Sequence, residues 1–285
     1  MKKAFPIIIT LVFIFMIVAG VAGLRSAGHT EQAGATGIAA APSSTDTSLA
    51  DALPPSEVAD ELLNVIIPNP GGSTVKDYEG FRLSFNHDNH TPDWVAWELL
   101  ASETAGPTKR YSKFWQDTSL RGCAETNDYT KSGYDRGHMC PAADQKWSEE
   151  AMRDCFSLAN ICPQNHSLNS GAWSTLEKKE RLWAQRDKSL VIVAGPIYSP
   201  EDTKRIGNTG VRVPSAFFKA ILALNADKPR AIAFVYPNMT SPGNMANYAM
   251  SVDELEQLTG YDFFAALDDE TEAAVESAAS FKDWN

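Results

Sequence analysis

The chain has 285 residues, of which 44% are hydrophobic, and a formal net charge of −11 at pH 7. The length and the apolar content provide ample material for one large folded domain and exclude a wholly disordered chain. The negative charge excludes a uniformly basic protein that binds phosphate over its whole surface.

The first segment, residues 1–25, has the pattern of an export signal. Lys2 and Lys3 precede an uncharged apolar run, residues 4–24, that ends in small residues. About 20 apolar residues also suffice to span a bilayer, so the segment is either a cleaved signal peptide or an uncleaved membrane anchor. The positive-inside rule places everything after Arg25 outside the cytoplasm, secreted or periplasmic.

The next segment, residues 26–55, is rich in Ala, Gly, Ser and Thr, which predicts a flexible linker before one catalytic domain over residues 56–285. Charge is unevenly distributed within that domain. Residues 105–252 carry 19 basic and 14 acidic side chains, a net charge of +5, whereas residues 253–285 carry −9. The mildly basic centre permits nucleic-acid binding. We interpret the acidic run Asp268–Glu276 as a solvated helix face or tail.

Two short strands and a helix are predicted around the densest run of polar side chains. The proline at position 141 ends an extended segment that begins at Tyr134, which places His138 at a strand end. Residues 156–161 alternate as a second short strand. From Asn169 onwards the periodicity is helical. The helix has an apolar stripe expected to face the core: Trp173, Leu176, Leu182 and Trp183.

The side chains at these element ends suit phosphodiester hydrolysis, which needs a base for the attacking water and a group that absorbs negative charge. His138 is a candidate base because a histidine is partly neutral at working pH. Asn169 offers an oxygen to a hard cation such as Mg²⁺. Arg136 and Arg181 carry planar forks that match a phosphate. Glu177 suits hydrogen bonds from metal-bound waters.

Each of these residues also has an ordinary structural interpretation. A single histidine beside an arginine is usually structural, and Asn169 could be only a helix N-cap. Glu177 and Arg181 are four residues apart and could form a helix-surface ion pair. Taken one by one, the residues leave the function open.

In combination, three ordered blocks resemble the DNA/RNA non-specific endonuclease family. They are Asp-Arg-Gly-His at residues 135–138, Asn-x-x-Pro-Gln at residues 160–164 and Asn-x-x-x-Trp-x-x-x-Glu at residues 169–177. The resemblance extends from about Tyr78 to Leu267. It includes apolar runs that look like core strands, at residues 193–198, 213–219 and 233–238. It implies an α+β fold in which a central antiparallel sheet with flanking helices carries a ββα-metal active site.

The resemblance also implies a role for each matched position. His138 would be the general base and Asn169 the only direct protein ligand of Mg²⁺, with Mn²⁺ as an alternative metal. Glu177 would contact the metal through water, and Arg136 would contact the phosphate and the transition state. Arg181 matches a supporting catalytic position.

Three further residues are candidate substrate contacts. Asn160 matches a supporting position of the family's active site. The basic segment at residues 109–115 resembles the one that supplies another phosphate-binding arginine, but its alignment leaves open whether Arg110 or Lys113 takes that place.

The function implied is an endonuclease that hydrolyses DNA and RNA without strong sequence preference and leaves 5′-phosphates. Two alternatives stay open: the same site with a narrower substrate, as in a toxin or an RNA-specific nuclease, and a catalytically silent nucleic-acid-binding module. A homodimer is also open, and membrane contact is expected only through an uncleaved N-terminal anchor.

The four cysteines are an even number in a compartment that permits oxidation, so we expect disulfides. Free thiols and a zinc site are alternatives, although the spacing contains no Cys-x-x-Cys pair of the kind that zinc sites use. Three pairings are possible among Cys123, Cys140, Cys155 and Cys162.

Overall fold

The computed structural model describes residues 60–67, 71–240, 243–278 and 280–285. The predicted export signal and linker, residues 1–55, lie outside the described residues. Within the described ranges the chain forms eleven strands. These are β1 (Ser73–Tyr78), β2 (Phe81–Asn86), β3 (Thr91–Leu100), β4 (Asp135–His138), β5 (Ile161–Gln164), β6 (Ser189–Ile197), β7 (Arg205–Ile206), β8 (Val211–Arg212), β9 (Ala216–Ala223), β10 (Arg230–Pro237) and β11 (Ala249–Met250).

Seven of these strands make one central antiparallel sheet, in the order β1-β2-β3-β6-β9-β10-β11. The strands β4 and β5 pair separately, as do β7 and β8. The predicted core runs fall in β6, β9 and β10, except that residues 213–215 precede β9. The predicted α+β fold with a central antiparallel sheet is confirmed.

Four α-helices flank the sheet within the described residues: α1 (Glu149–Asp154), α2 (Ser174–Asp187), α3 (Val252–Thr259) and α4 (Asp269–Glu276). A π-helical turn, Leu168–Trp173, runs directly into α2. Short 3₁₀ turns lie at Glu103–Ala105, Thr126–Tyr129, Leu158–Asn160, Met245–Tyr248 and Phe281–Trp284.

The two faces of the sheet bury separate cores, because side chains alternate along each strand. On one face, Trp97 and Ile192 pack with Trp173 and Leu176, and we call this the α2 face. On the other, residues such as Phe218 pack with α3, α4 and Leu62, and we call this the α3–α4 face. The β4–β5 pair belongs to the α2 face, since Met139 and Ile161 lie in its core.

Three sequence predictions were wrong in this region. The second short strand lies at β5 rather than at residues 156–161, because the Ser157 hydroxyl accepts from the Ala159 amide and starts a 3₁₀ turn. Pro163 is accommodated within β5 because the two-stranded sheet leaves one edge of that strand unpaired. Leu182 does not face the core and is 58% exposed.

The third wrong prediction is that of disulfides, because all four cysteines are free and buried. They pack in the α2-face core as small apolar side chains, which is common for cysteine. The Cys140 sulfur accepts a hydrogen bond from Gln145, and the Cys155 thiol donates to the Met152 carbonyl. Burial raises the pKa of both thiols, so neither is a ready thiolate nucleophile. The predicted disulfides are therefore absent from the described chain.

Candidate active site

The site begins at β4, where alternation along the strand sends Arg136 and His138 to one side and Asp135 and Gly137 to the other. Gly137 is required here, because a Cβ at this position would come within 2.3 Å of the Gln164 side chain on β5. The close approach of the two strands fixes the end of β4, and with it the position of His138, as predicted, at a strand end.

His138 lies in an aromatic pocket on the α2 face. Its ring centroid is 4.8 Å from that of Phe156 and 5.4 Å from that of Phe114. The Nε2 atom is buried and has no hydrogen-bond partner among the described residues. Burial, and then the positive charge of Arg110, lower the pKa of His138 to about 3. The imidazole is therefore neutral at physiological pH in the free protein.

Asn169 lies in the π-helical turn that precedes α2. Its Nδ2 donates to Asp135 Oδ2 at 2.8 Å, and His166 Nδ1 lies 2.9 Å from the same oxygen. The bond to Asp135 turns the amide so that Oδ1 is left without a donor among the described residues. The N-cap interpretation is wrong, since the Asn169 side chain bonds a carboxylate of β4 and not a backbone amide.

A second contact docks the π-helical turn against β4. The Trp173 indole Nε1 donates to the His138 carbonyl at 3.3 Å. Together with the Asp135–Asn169 bond, it brings the predicted base and the predicted metal ligand onto one rigid unit of two strands and a helix. Turns of π-helix within α-helices are frequent at functional sites.

Arg136 shares the Phe114 ring with His138. Its guanidinium lies 5.4 Å from the Phe114 ring and 5.6 Å from the Tyr129 ring, and Nη2 donates to the Thr126 carbonyl at 2.7 Å. The Nε atom has no partner among the described residues. A guanidinium close to two aromatic rings, with free N–H donors, is well placed for an anion.

Of the two alternative basic contacts upstream, the structure brings only Arg110 to the pocket. The Arg110 guanidinium lies 5.1 Å from the ring of Phe156, which itself packs on His138. The positive charge of Arg110 helps to lower the pKa of His138. Lys113 is exposed and makes no ring contact or ion pair with this pocket in the described chain.

Glu177 and Arg181 follow Trp173 along α2. Burial and the charges of Glu180 and Asp144 raise the pKa of Glu177 to about 7, against the opposing effect of Lys219. Arg181 donates to Asp144 at 2.7 Å, and this pairing replaces the helix-surface pair that the spacing allowed with Glu177. No donor among the described residues bonds the Glu177 carboxylate, so its oxygens are free.

The structure contradicts the prediction that Asn160 contacts substrate. Its side chain is fully buried and hydrogen-bonds only to backbone atoms. Its Oδ1 accepts from the Cys140 amide, and its Nδ2 donates to the Cys140 and Cys155 carbonyls, each at 2.9 Å. These bonds use both amide hydrogens and leave no polar atom exposed to a substrate. Asn160 positions the end of β4 and is not a substrate contact.

Sequence reasoning missed a buried ion pair beneath this site. Lys219 in β9 donates to Glu180 in α2 at 2.7 Å, and both side chains are fully buried. The Lys219 ammonium also lies 4.8 Å from the Trp173 ring, which supports the π-helical turn. A lysine amid the apolar residues of β9 was the available signal, since a charged side chain in a buried strand needs a partner.

The free oxygens suit a hard divalent cation. Asn169 Oδ1 and the Glu177 carboxylate accept no hydrogen bond from the described residues, and Mg²⁺ prefers one or two such oxygen ligands together with water. No sulfur ligand is needed for this arrangement, so the donor chemistry fits Mg²⁺ or Mn²⁺ better than a soft metal.

Comparison with known proteins identifies the family of the chain. The family model described as DNA/RNA non-specific endonuclease matches residues 59–270. The chain belongs to this family. The mitochondrial nuclease EXOG of Danio rerio is 36% identical over 213 residues, which are 69% of this chain and 62% of that protein. A nuclease of Nostoc sp. is 32% identical over 242 residues, which are 75% of this chain and 85% of that protein.

A solved structure is also similar. EndoG in the EndoG/EndoGI complex matches with a TM-score of 0.66 and 29% identity, over 71% of this chain and 90% of that chain. The chain spans about three fifths of the length of the EXOG relatives, such as 62% of the Danio rerio protein and 58% of the Mus musculus protein. The predicted family is thus confirmed, and the matched relatives are named nucleases.

Proposed function

We propose that the protein is a metal-dependent endonuclease that hydrolyses phosphodiester bonds of DNA and RNA with little sequence preference, with Mg²⁺ as cofactor. The observation that carries this proposal is the docking of the π-helical turn on β4, which holds His138, with its unpartnered Nε2, and the Asn169 amide, with its free Oδ1, on one rigid unit. Family membership and relatives named as nucleases support it.

In this proposal His138 takes the proton of the attacking water. Its low pKa keeps the ring neutral and able to act as a base, and the negative phosphate would then stabilise the imidazolium that forms when Nε2 takes the proton of the attacking water. Arg136 and Arg110 flank the ring and would bind the phosphate and its transition state.

Asn169 would hold the metal directly, and Glu177 would orient waters around it. The metal would supply a positive charge that stabilises the departing 3′-oxygen, so that the products carry 5′-phosphates. Asp135 would position Asn169 by fixing its amide, and Arg181, anchored by Asp144, would stabilise the ionised form of Glu177. None of these groups reads a base edge or a 2′-hydroxyl, which accounts for tolerance of both polymers.

We also propose an extracytoplasmic location, which rests on the export-type sequence of residues 1–25. Several relatives are named mitochondrial, and that name is not carried over to this chain. Among the described residues, no helix is long and apolar enough to cross a bilayer.

The test uses the full chain with supercoiled plasmid and with single-stranded RNA, in Mg²⁺ or in chelator. His138→Ala is expected to lower the cleavage rate of both polymers by about 10²- to 10⁴-fold, the usual contribution of a general base. His87→Ala is the matched control. It removes a histidine that bonds Thr74 and the Arg121 carbonyl, outside the pocket.

Cutting of both polymers by the wild type in Mg²⁺, its loss in chelator and its loss in His138→Ala would support the proposal. Cutting by His138→Ala at the wild-type rate would overturn the mechanism. Binding of both polymers without cutting by the wild type would favour a silent binding module, and cutting of RNA alone would favour a narrower substrate.

A further inference from the structure

A second group of carboxylates lies on the α3–α4 face, opposite the site described above. Helices α3 and α4 pack on this face through Val252, Leu255 and Val275, whereas His138 and α2 lie on the other side of the sheet. The acidic run that we interpreted as a solvated face belongs to α4. That interpretation is wrong for its last residue, Glu276, which is only 2% exposed.

Three carboxylates converge here from the two helices. Asp253 and Glu256 of α3 and Glu276 of α4 each offer an oxygen, and these oxygens all lie within 4.8 Å of one another. Glu256 is held in place because its Oε1 accepts from the Phe263 amide at 2.8 Å. Asp253 and Glu256 are half-buried, so the group is open to solvent on one side.

The side chain of Glu276 gives an independent indication that this cluster binds a ligand. Its Oε1 is buried and has no hydrogen-bond partner in the described part of the chain. No Lys or Arg of the described residues forms an ion pair with any of the three carboxylates. Glu276 also ends α4, where the partial negative charge of the helix terminus opposes a carboxylate.

The surroundings add further negative charge. The acids that act electrostatically on Glu276 include Glu272 and Asp262 as well as Glu256 and Asp253. Asp262 Oδ1 is likewise buried without a partner among the described residues. No Lys or Arg within the described chain forms an ion pair with these ligands, and a bound cation would supply the missing positive charge.

We propose that Asp253, Glu256 and Glu276 form a second metal site that binds Ca²⁺. The ligands are all oxygens, and neither His nor Cys takes part, which disfavours transition metals. Ca²⁺ accepts six to eight oxygens in irregular geometry, and bidentate carboxylates with a few waters supply them. Mg²⁺ is smaller and demands a near-ideal octahedron.

The site would connect α3 to α4 and hold both on the sheet. It would therefore act on stability and not on the chemistry of His138, which lies across the sheet. The inference is independent of the proposed nuclease function, since none of its ligands belongs to that site.

The test measures Ca²⁺ binding by calorimetry and the Ca²⁺-dependent rise in melting temperature. Full-length Asn169→Ala serves as the background, so that the site near His138 does not contribute. We expect one Ca²⁺ per chain. Glu276→Gln and Asp253→Asn should each weaken binding at least tenfold and abolish the rise in melting temperature. Glu270→Gln, which neutralises an exposed acid of the same helix, is the matched control and should change neither.

Absence of Ca²⁺ binding in the background protein would overturn the proposal and would mean that Glu276 is neutralised by a proton. Binding that survives unchanged in both Glu276→Gln and Asp253→Asn would also overturn it, because the ion would then lie elsewhere. Equal affinity for Mg²⁺ and Ca²⁺ would contradict the assignment to Ca²⁺. The two variants come from different helices, so misfolding of one leaves the other informative.

Discussion

The two faces of the central sheet bury carboxylates in opposite ways. On the α2 face, Glu180 pairs with Lys219 and Asp144 with Arg181, each at 2.7 Å. On the α3–α4 face, Glu276 lies beside Asp253 and Glu256, and its Oε1 has no hydrogen-bond partner among the described residues. The α2 face thus carries its own countercharges, which hold a rigid scaffold beneath the candidate active site. The α3–α4 face depends on a ligand or a proton for its electrostatic balance.

The largest effect is expected from a substitution that breaks the Lys219–Glu180 ion pair of the α2 face. Glu180→Gln removes the countercharge of Lys219, which stays fully buried. Loss of one partner of a buried ion pair costs about 3–5 kcal/mol of unfolding free energy. Urea denaturation measures this loss, with exposed Glu150→Gln as the control. A change below about 1 kcal/mol would mean that the pair does not support the α2 face.

The next effect concerns the end of β4. Asn160→Ala leaves the amide of Cys140 and the carbonyls of Cys140 and Cys155 without their side-chain partner. Because unsatisfied buried polar groups cost about 1–3 kcal/mol each, we expect a total loss of about 2–4 kcal/mol after relaxation. Denaturation with Asn208→Ala as an exposed control checks this. A normal stability with a raised KM would restore Asn160 to the substrate contacts.

An effect that is smaller per pH unit appears in the pH dependence of stability. The folded pKa of His138, about 3, lies below the ordinary value of 6.5, so the unfolded chain binds more protons between these values. The contribution of the neutral His138 ring to the free energy of unfolding is complete above pH 6.5. It is lost as the pH falls towards 3, by up to about 1.4 kcal/mol per pH unit. His138→Phe should flatten this acid limb, whereas His87→Phe should not. An unchanged slope in His138→Phe would place the imidazole in a more solvated environment.

The smallest effect has the opposite sign and comes from the α3–α4 face. In chelator, Glu276→Gln replaces an unpaired buried carboxylate by a neutral amide that can donate to neighbouring acids. We expect the unfolding free energy to rise by up to about 1 kcal/mol. A loss as large as that of Glu180→Gln would erase the contrast between the two faces.

The sequence predicted the parts of the site that lie in contiguous motifs. Strand β4, the helical segment after Asn169 and the antiparallel sheet follow from proline placement, periodicity and the three ordered blocks. The second strand was misplaced because residues 156–161 alternate like a strand, while the Ser157 hydroxyl starts a 3₁₀ turn there. Local hydrogen bonding by a side chain prevailed over hydrophobic periodicity at this point.

What the sequence could not supply were contacts between distant residues. The Lys219–Glu180 pair joins positions 39 residues apart, and the bond of Asp135 to Asn169 spans 34. The cysteines show the same limit, since their number favours disulfides while the fold buries them as free thiols. From the sequence alone, Glu276 is one more acid of a solvated helix. In the structure it lies beside α3 and is buried.

In the proposed mechanism, the metal of catalysis is held on the α2 face by Asn169 and not by the acids of the α3–α4 face. A Mg²⁺ titration of plasmid cleavage tests it directly, with the wild type, Asn169→Ala and Glu276→Gln side by side. We expect Asn169→Ala to lose cleavage or to require at least tenfold more Mg²⁺, and Glu276→Gln to match the wild type. Wild-type Mg²⁺ dependence in Asn169→Ala, or its loss in Glu276→Gln, would contradict the account.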